Sequence, residues 1–273
     1  MHDRVVDRAA AHATPADLAV RDWLLVGLSF ATGIYEAIVF LTFGKVFTAA
    51  QTGNLVLLGI GLDGTHQPAG PNPVTVLISL AAFAAGAALA MPILKVFDGD
   101  KETEDDKVYQ PWPRRVSIAL AIALIPQVGF LAVWITAASP ASRAYVLMAL
   151  SALAMGLQMN AIRSLHVPGV STTAFTATYV DLVSGLATLS LTAHSARRLA
   201  ATMVCIVAGA LFGDWMLSHA HRYAPVVPAA VTAIIIAIAW LVLKPRPTPG
   251  PAGNRENSLQ DARGARNDST SDA

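Results

Sequence analysis

A single carboxylate, Glu36, stands inside an apolar run. Fifteen residues further on, Gln51, Thr52, Gly53 and Asn54 interrupt a second apolar run. Polar groups at such depth in hydrophobic segments are costly unless protein, water or solute satisfies them. A carboxylate there can carry a proton, ligate a cation or partner a buried base; the plainer alternatives are an ion pair with Lys45 or Arg163, or a protonated, hydrogen-bonding Glu36. The amides and hydroxyls, with backbone groups freed near Gly53, suit a small polar solute or an alkali cation. A half-helix N-terminus there would favour an anion. Against this stands self-satisfaction, in which threonines bond their own i−4 carbonyls and Asn54 ties two segments together.

The pattern recurs. Offsetting the chain by 124 aligns residues 36–62 with 160–186 without a gap, and eleven of the twenty-seven pairs are identical, Thr48/Thr172 and Thr52/Thr176 among them. Hydrophobic composition does not account for paired threonines. Asn160 falls opposite Glu36, and Thr172, Thr176 and Asp181 complete the second candidate set. Asp181 reads either as a second proton site or as a residue near water. Other chemistry finds little footing. His219 and His221 with Asp214 lack a fourth ligand and a framework, so no metal site is expected. Neither a nucleophile elbow, a phosphate-cradling loop nor a dinucleotide fingerprint is present, so no enzyme activity and no cofactor are expected. Cys205 is a lone cysteine in an apolar run, read as a small core or lipid-facing residue.

These residues need an all-α membrane scaffold. The chain has 273 residues, a mean hydropathy of +0.52, 54% hydrophobic residues and 14% charged ones. A soluble domain carries about a quarter charged residues. The net charge of +1 gives no footprint for nucleic acid. Long apolar runs lie at 22–43, 74–97, 116–138, 145–165, 199–217 and 226–243, each close to the length a membrane helix needs. Two shorter interrupted runs lie at 46–62 and 171–191. If these dip and return, six spans put both termini on one side, with only Lys45, Arg143 and Arg222 on the other. The remaining basic residues then sit on the cytoplasmic side, as the positive-inside rule asks. Eight full crossings would place the cluster at 98–115 outside. Three true spans per half would invert the second half, as in many transporters, whereas eight spans would make the halves parallel.

At Gly33-Ile34-Tyr35-Glu36-Ala37, at Phe47 followed by Gln51-Thr52-Gly53-Asn54, and at Gln158-Met159-Asn160-Ala161 followed by Thr172-Thr173, the chain resembles the YoaK family of bacterial inner-membrane proteins. The likeness covers most of residues 20–243. It departs in having Glu36 where the family has Asp, and Thr176-Ala177 where the family's second half tends to Thr-Gly. The resemblance implies a multi-spanning membrane protein and no particular activity.

The expected architecture is thus an all-α integral membrane protein with about six transmembrane helices plus two re-entrant or half-helix segments in an internal inverted repeat. A polar arm (1–20) precedes a first repeat (21–138, with a loop at 98–115) and a second (139–243); the tail (244–273) has the composition of disorder. Both termini are expected in the cytoplasm of a bacterium, the chain in its inner membrane. The expected role is a small-solute transporter or permease, with proton coupling open, binding through Glu36, Gln51, Thr52, Gly53, Asn54, Asn160, Thr172, Thr176 and Asp181. A channel of the same fold and a non-transport membrane scaffold are the alternatives. The expected partners are the lipid bilayer and a small solute or ion, and small-residue faces permit a homodimer.

Overall fold

The structure is a computed structural model and describes residues 14–64, 70–96, 111–136, 140–165, 167, 179–180, 182–184, 188 and 193–243. The first helix, α1 (Pro15–Thr42), starts where three local signals agree. Thr14 Oγ1 accepts from the Asp17 N–H at 3.2 Å, Pro15 occupies the first turn, and Asp17 adds an acid there. This start precedes the expected boundary at 22 for a physical reason. Arg21 and Asp22 stay inside the protein, paired at 2.7 Å, and Arg198 approaches Asp22 at 3.4 Å. The helix ends with Gly44 at φ 87° and Lys45 at φ 62°, and the Lys45 N–H donates back to the Phe40 carbonyl at 3.0 Å. That six-to-one bond and a left-handed glycine are what stop a helix with its carbonyls satisfied.

A short helix, α2 (Gln51–Asp63), follows; its 13 residues span about 20 Å, well short of a hydrocarbon core of about 30 Å. Then come α3 (Pro73–Val96), α4 (Arg114–Thr136), α5 (Pro140–Arg163), α6 (Ala193–Ala220), a 3₁₀ turn (His221–Tyr223) and α7 (Val226–Val242). Among the described residues, α1, α3, α4, α5 and α6 are long and apolar enough to cross a membrane, and α7 is a shorter apolar helix of 17 residues. Large apolar side chains such as Leu77 and Leu89 on α3, and Val204 and Leu211 on α6, lie exposed. Helices apolar on both inner and outer faces belong in lipid. The chain is an all-α membrane protein.

Two core clusters fix how the helices run. One gathers Ile34 to Val39 of α1, Val76 of α3, Phe130 and Trp134 of α4, Leu147 and Met148 of α5, and Met216 of α6. The other gathers Leu24 to Leu28 of α1, Ile93 and Leu94 of α3, Val116 to Leu120 of α4, Ala161 and Ile162 of α5, and Ile235 and Ala239 of α7. The end of α1 and the start of α3 therefore share one end of the bundle. Residues 43–63 leave and return at that end.

Two close helix crossings tie the bundle together. At α1/α6, a Cβ on Gly33 would collide with the Ile206 carbonyl, and one on Gly209 with the Phe30 carbonyl. At α3/α5, Gly86 meets the Leu153 carbonyl and Gly156 the Phe83 carbonyl in the same reciprocal way. Small residues are the means by which membrane helices approach to backbone contact. The arm before residue 14, the loop at 97–110, Thr172, Thr176, Asp181 and the tail from 244 lie outside the described residues.

Candidate functional site beneath a returning half-helix

Glu36 lies a turn and a half before the end of α1, half-buried. Its carboxylate accepts three backbone hydrogen bonds: Oε2 from the Thr48 N–H at 3.0 Å, and Oε1 from Ala49 and Ala50 at 2.6 and 3.3 Å. These three donors lead directly into α2, whose N-cap is Ala50 and lacks a side-chain cap of its own. The first N–H groups of a helix have no partner within it, and its dipole favours negative charge at that end. Glu36 thus anchors from α1 the turn that leads into α2 and accepts from the N–H of its N-cap residue, Ala50. Neither Lys45 nor Arg163 pairs with it; both are exposed.

Asn54 closes the turn from the other side. Its Oδ1 accepts from the Phe47 N–H at 2.9 Å, while Nδ2 donates to the Phe47 carbonyl at 2.7 Å, Gln51 Oε1 at 2.9 Å and Ser79 Oγ of α3 at 3.1 Å. Ser79 also donates to the Phe47 carbonyl at 2.7 Å, and Gln51 Nε2 to the Thr48 carbonyl at 2.7 Å. The amides therefore hold residues 47–51 in a folded-back course and pin them to α3. Gly53 sits against the Phe47 ring, where a Cβ would come within 3.3 Å of ring carbons.

Beside this turn is a cavity of ≈ 240 Å³. Thr32, Gly33 and Glu36 of α1 form one wall, Phe47, Ala49 and Ala50 a second, and Ile206, Val207 and Ala210 of α6 a third. Of the residues expected at the site, the structure brings together Glu36, Gln51, Gly53 and Asn54. Thr52 is on the exposed face of α2, away from the buried Asn54. Asn160 lies apart, at the α3/α5 crossing, where its Nδ2 donates to the Ala87 carbonyl. Three participants went unselected in the sequence reading. Ser79 pins the turn to α3, Thr48 is held within it through its N–H to Glu36 and its carbonyl from Gln51, and Gln158 Nε2 donates at 3.0 Å to Thr32 Oγ1 on the cavity wall. Gln158 shares a helical face with Ser151 and Met155, all buried, so the spacing of 151, 155 and 158 was its signal. His219 and His221 go separate ways, the first ring stacking on Trp215 and the second on Trp134.

With this geometry in place, comparison with known proteins is informative. The family described as "Protein of unknown function (DUF1275)" matches residues 24–238. The chain belongs to this family. Its DUF1275 match takes in α2, the cavity walls and both glycine crossings. The chain is also similar to the UPF0700 transmembrane protein YoaK of Bacillus subtilis (strain 168), 31% identical over 172 residues, covering 62% of this chain and 68% of the relative. The YoaK resemblance read from the Glu36 and Asn54 motifs thus stands. No solved structure matches the chain.

Proposed function

We propose that this chain is a small-solute transporter or permease of a bacterial inner membrane, with its solute site in the cavity walled by Glu36, residues 47–50 and α6. The observation that carries the reading is a returning half-helix, anchored by a carboxylate from a neighbouring helix, beside a cavity within the membrane-spanning part of the bundle. Broken segments of this kind are where secondary transporters hold solutes and coupling ions. Glu36 is the group through which a proton would couple, since it joins the cavity wall to the start of α2.

The two glycine crossings support the same reading, and with it an inverted internal repeat. The offset of 124 carries α1 onto α5 and α3 onto α6, so it exchanges the α1/α6 crossing with the α5/α3 crossing. Both crossings are built on reciprocal glycines, Gly33 with Gly209 and Gly86 with Gly156. One half rocking against the other about such pivots would give alternating access. In this reading six helices span, residues 43–63 are re-entrant, and both termini are cytoplasmic.

The test is uptake of a panel of radiolabelled small solutes into proteoliposomes holding the full chain. A saturable, protein-dependent uptake that Glu36→Gln reduces at least tenfold is the expected result. Uptake that survives Glu36→Gln and Asn54→Ala together would remove the site. Single-channel conductance without saturation would turn the reading towards a channel. One observation favours a scaffold instead: Asn54, Gln51 and Ser79 already satisfy one another. A scaffold would lose its function on deletion of residues 245–273, and a transporter would tolerate that loss.

A further inference from the structure

The cavity beside Glu36 has walls that discriminate between classes of solute. Among its described lining residues Glu36 is the one ionisable group, and Thr32 is the one other polar side chain. Thr32 is already committed, donating to the Leu28 carbonyl at 2.9 Å and accepting from Gln158. A neutral polar solute would therefore find few partners, and stranding its polar groups in such a place is costly. An anion fares worse. The N–H groups of residues 48–50 that would receive it are occupied by Glu36, and it would meet that carboxylate as a like charge.

A cation meets the opposite situation. A carboxylate offers about four acceptor positions; three backbone donors and the neighbouring Thr48 hydroxyl face them, and none of these donors carries a full positive charge. The positive end of α2, worth roughly half an elementary charge, offsets only part of the charge on Glu36. The Phe47 ring, itself packed on Phe40 with centroids 4.7 Å apart, adds an aromatic group to the lining, of the type that attracts ammonium ions. Ile206, Val207 and Ala210 then offer surface only to carbon. The cavity's ≈ 240 Å³ leaves room for a small organic ion.

We propose that this cavity takes a small alkylammonium ion, its head against Glu36 and its body against Phe47, Ile206 and Val207. The assignment rests on reading the cavity as the solute site, and it narrows that site to one chemical class.

Equilibrium binding to the full chain in lipid nanodiscs tests it, with three labelled probes of one chain length: n-butylammonium, n-butyrate and n-butanol. Saturable butylammonium binding at least tenfold tighter than that of the other two is expected. Val207→Trp should weaken it at least tenfold, because Val207 lines the cavity and is 59% exposed at its edge, where a larger side chain obstructs entry without entering the core. Helix content and thermal stability of that variant should match the parent. Butyrate or butanol binding as tightly as butylammonium would overturn the proposal, as would absence of saturable butylammonium binding or binding that Val207→Trp leaves intact. The comparison of probes needs only the unmodified chain, so it decides even if the tryptophan variant does not fold. Butylammonium binding without uptake into proteoliposomes would uphold the ligand and refute transport. Uptake of another solute class without butylammonium binding would refute the ligand and uphold transport.

Discussion

Asn54→Ala should destabilise the folded chain by about 2–4 kcal/mol, and the structure shows where the loss arises. Asn54 is fully buried and makes four hydrogen bonds. Truncation strands the Phe47 N–H and removes a donor from Gln51 Oε1, whereas the Phe47 carbonyl keeps its bond from Ser79. Two orphaned groups at about 1–3 kcal/mol each, taken in the lower half of that range because Gln51 is only part-buried, give the figure. Asn54→Asp should be at least as harmful despite its near-identical shape. It sets a carboxylate oxygen against the Phe47 carbonyl and Gln51 Oε1, where Asn54 presents a donor. Ser79→Ala should cost about 1 kcal/mol, and the Asn54/Ser79 double-mutant cycle should show coupling, since both bond the Phe47 carbonyl. The assay is unfolding of the purified full chain in mixed micelles by titrated sodium dodecyl sulfate, followed by circular dichroism. A loss below about 0.5 kcal/mol for Asn54→Ala, or an Asn54→Asp variant as stable as the parent, would refute the reasoning.

Other consequences follow from the crossings and the buried charges. Gly33→Leu and Gly209→Leu should each lower stability by about 3 kcal/mol or more, since the added side chain meets backbone that cannot yield without separating α1 from α6. Gly129→Ala is the control: its Cβ would meet only Leu150 methyl groups, at 3.6 and 3.7 Å, and should change stability little in the same titration. Asp22→Ala should cost about 1.5–3 kcal/mol, because it removes the carboxylate that Arg21 and Arg198 share. Asp214→Ala should stay within about 0.5 kcal/mol, since Asp214 is exposed.

The sequence makes the membrane helices legible because twenty apolar residues in a row have few other uses. Their C-terminal limits fall within about three residues of expectation, while four starts (15, 51, 140 and 193) differ from it by five to seven. Arg21 and Asp22 look like the edge of the first span, yet they pair inside it. Glu36 is visible as a costly group, but its partners are not. Reading side chains alone offers Lys45 or Arg163, and the actual donors are backbone N–H groups twelve to fourteen residues further on, which only the fold brings into reach. Thr52 enters the candidate list through adjacency in sequence. At 100° per residue it cannot share the buried face of Asn54, so the helical period already separates the two. Asn160 matches Glu36 by alignment, but it bonds the Ala87 carbonyl at another crossing. The glycines are the reverse case: close packing needs only that a helix face be small, and Gly86 and Gly209 sit at backbone contacts of that kind.

In the proposed site, residues 43–63 enter and leave the bilayer on one side. In a Cys205→Ser background, single cysteines at Lys45 and Asp63, both exposed, and at Arg163, exposed at the far end of α5, can be labelled with a membrane-impermeant maleimide in sealed vesicles. Lys45→Cys and Asp63→Cys should react from one side of the membrane and Arg163→Cys from the other. Labelling of positions 45 and 63 from opposite sides would mean that the segment crosses, and the returning half-helix beside the cavity would not exist.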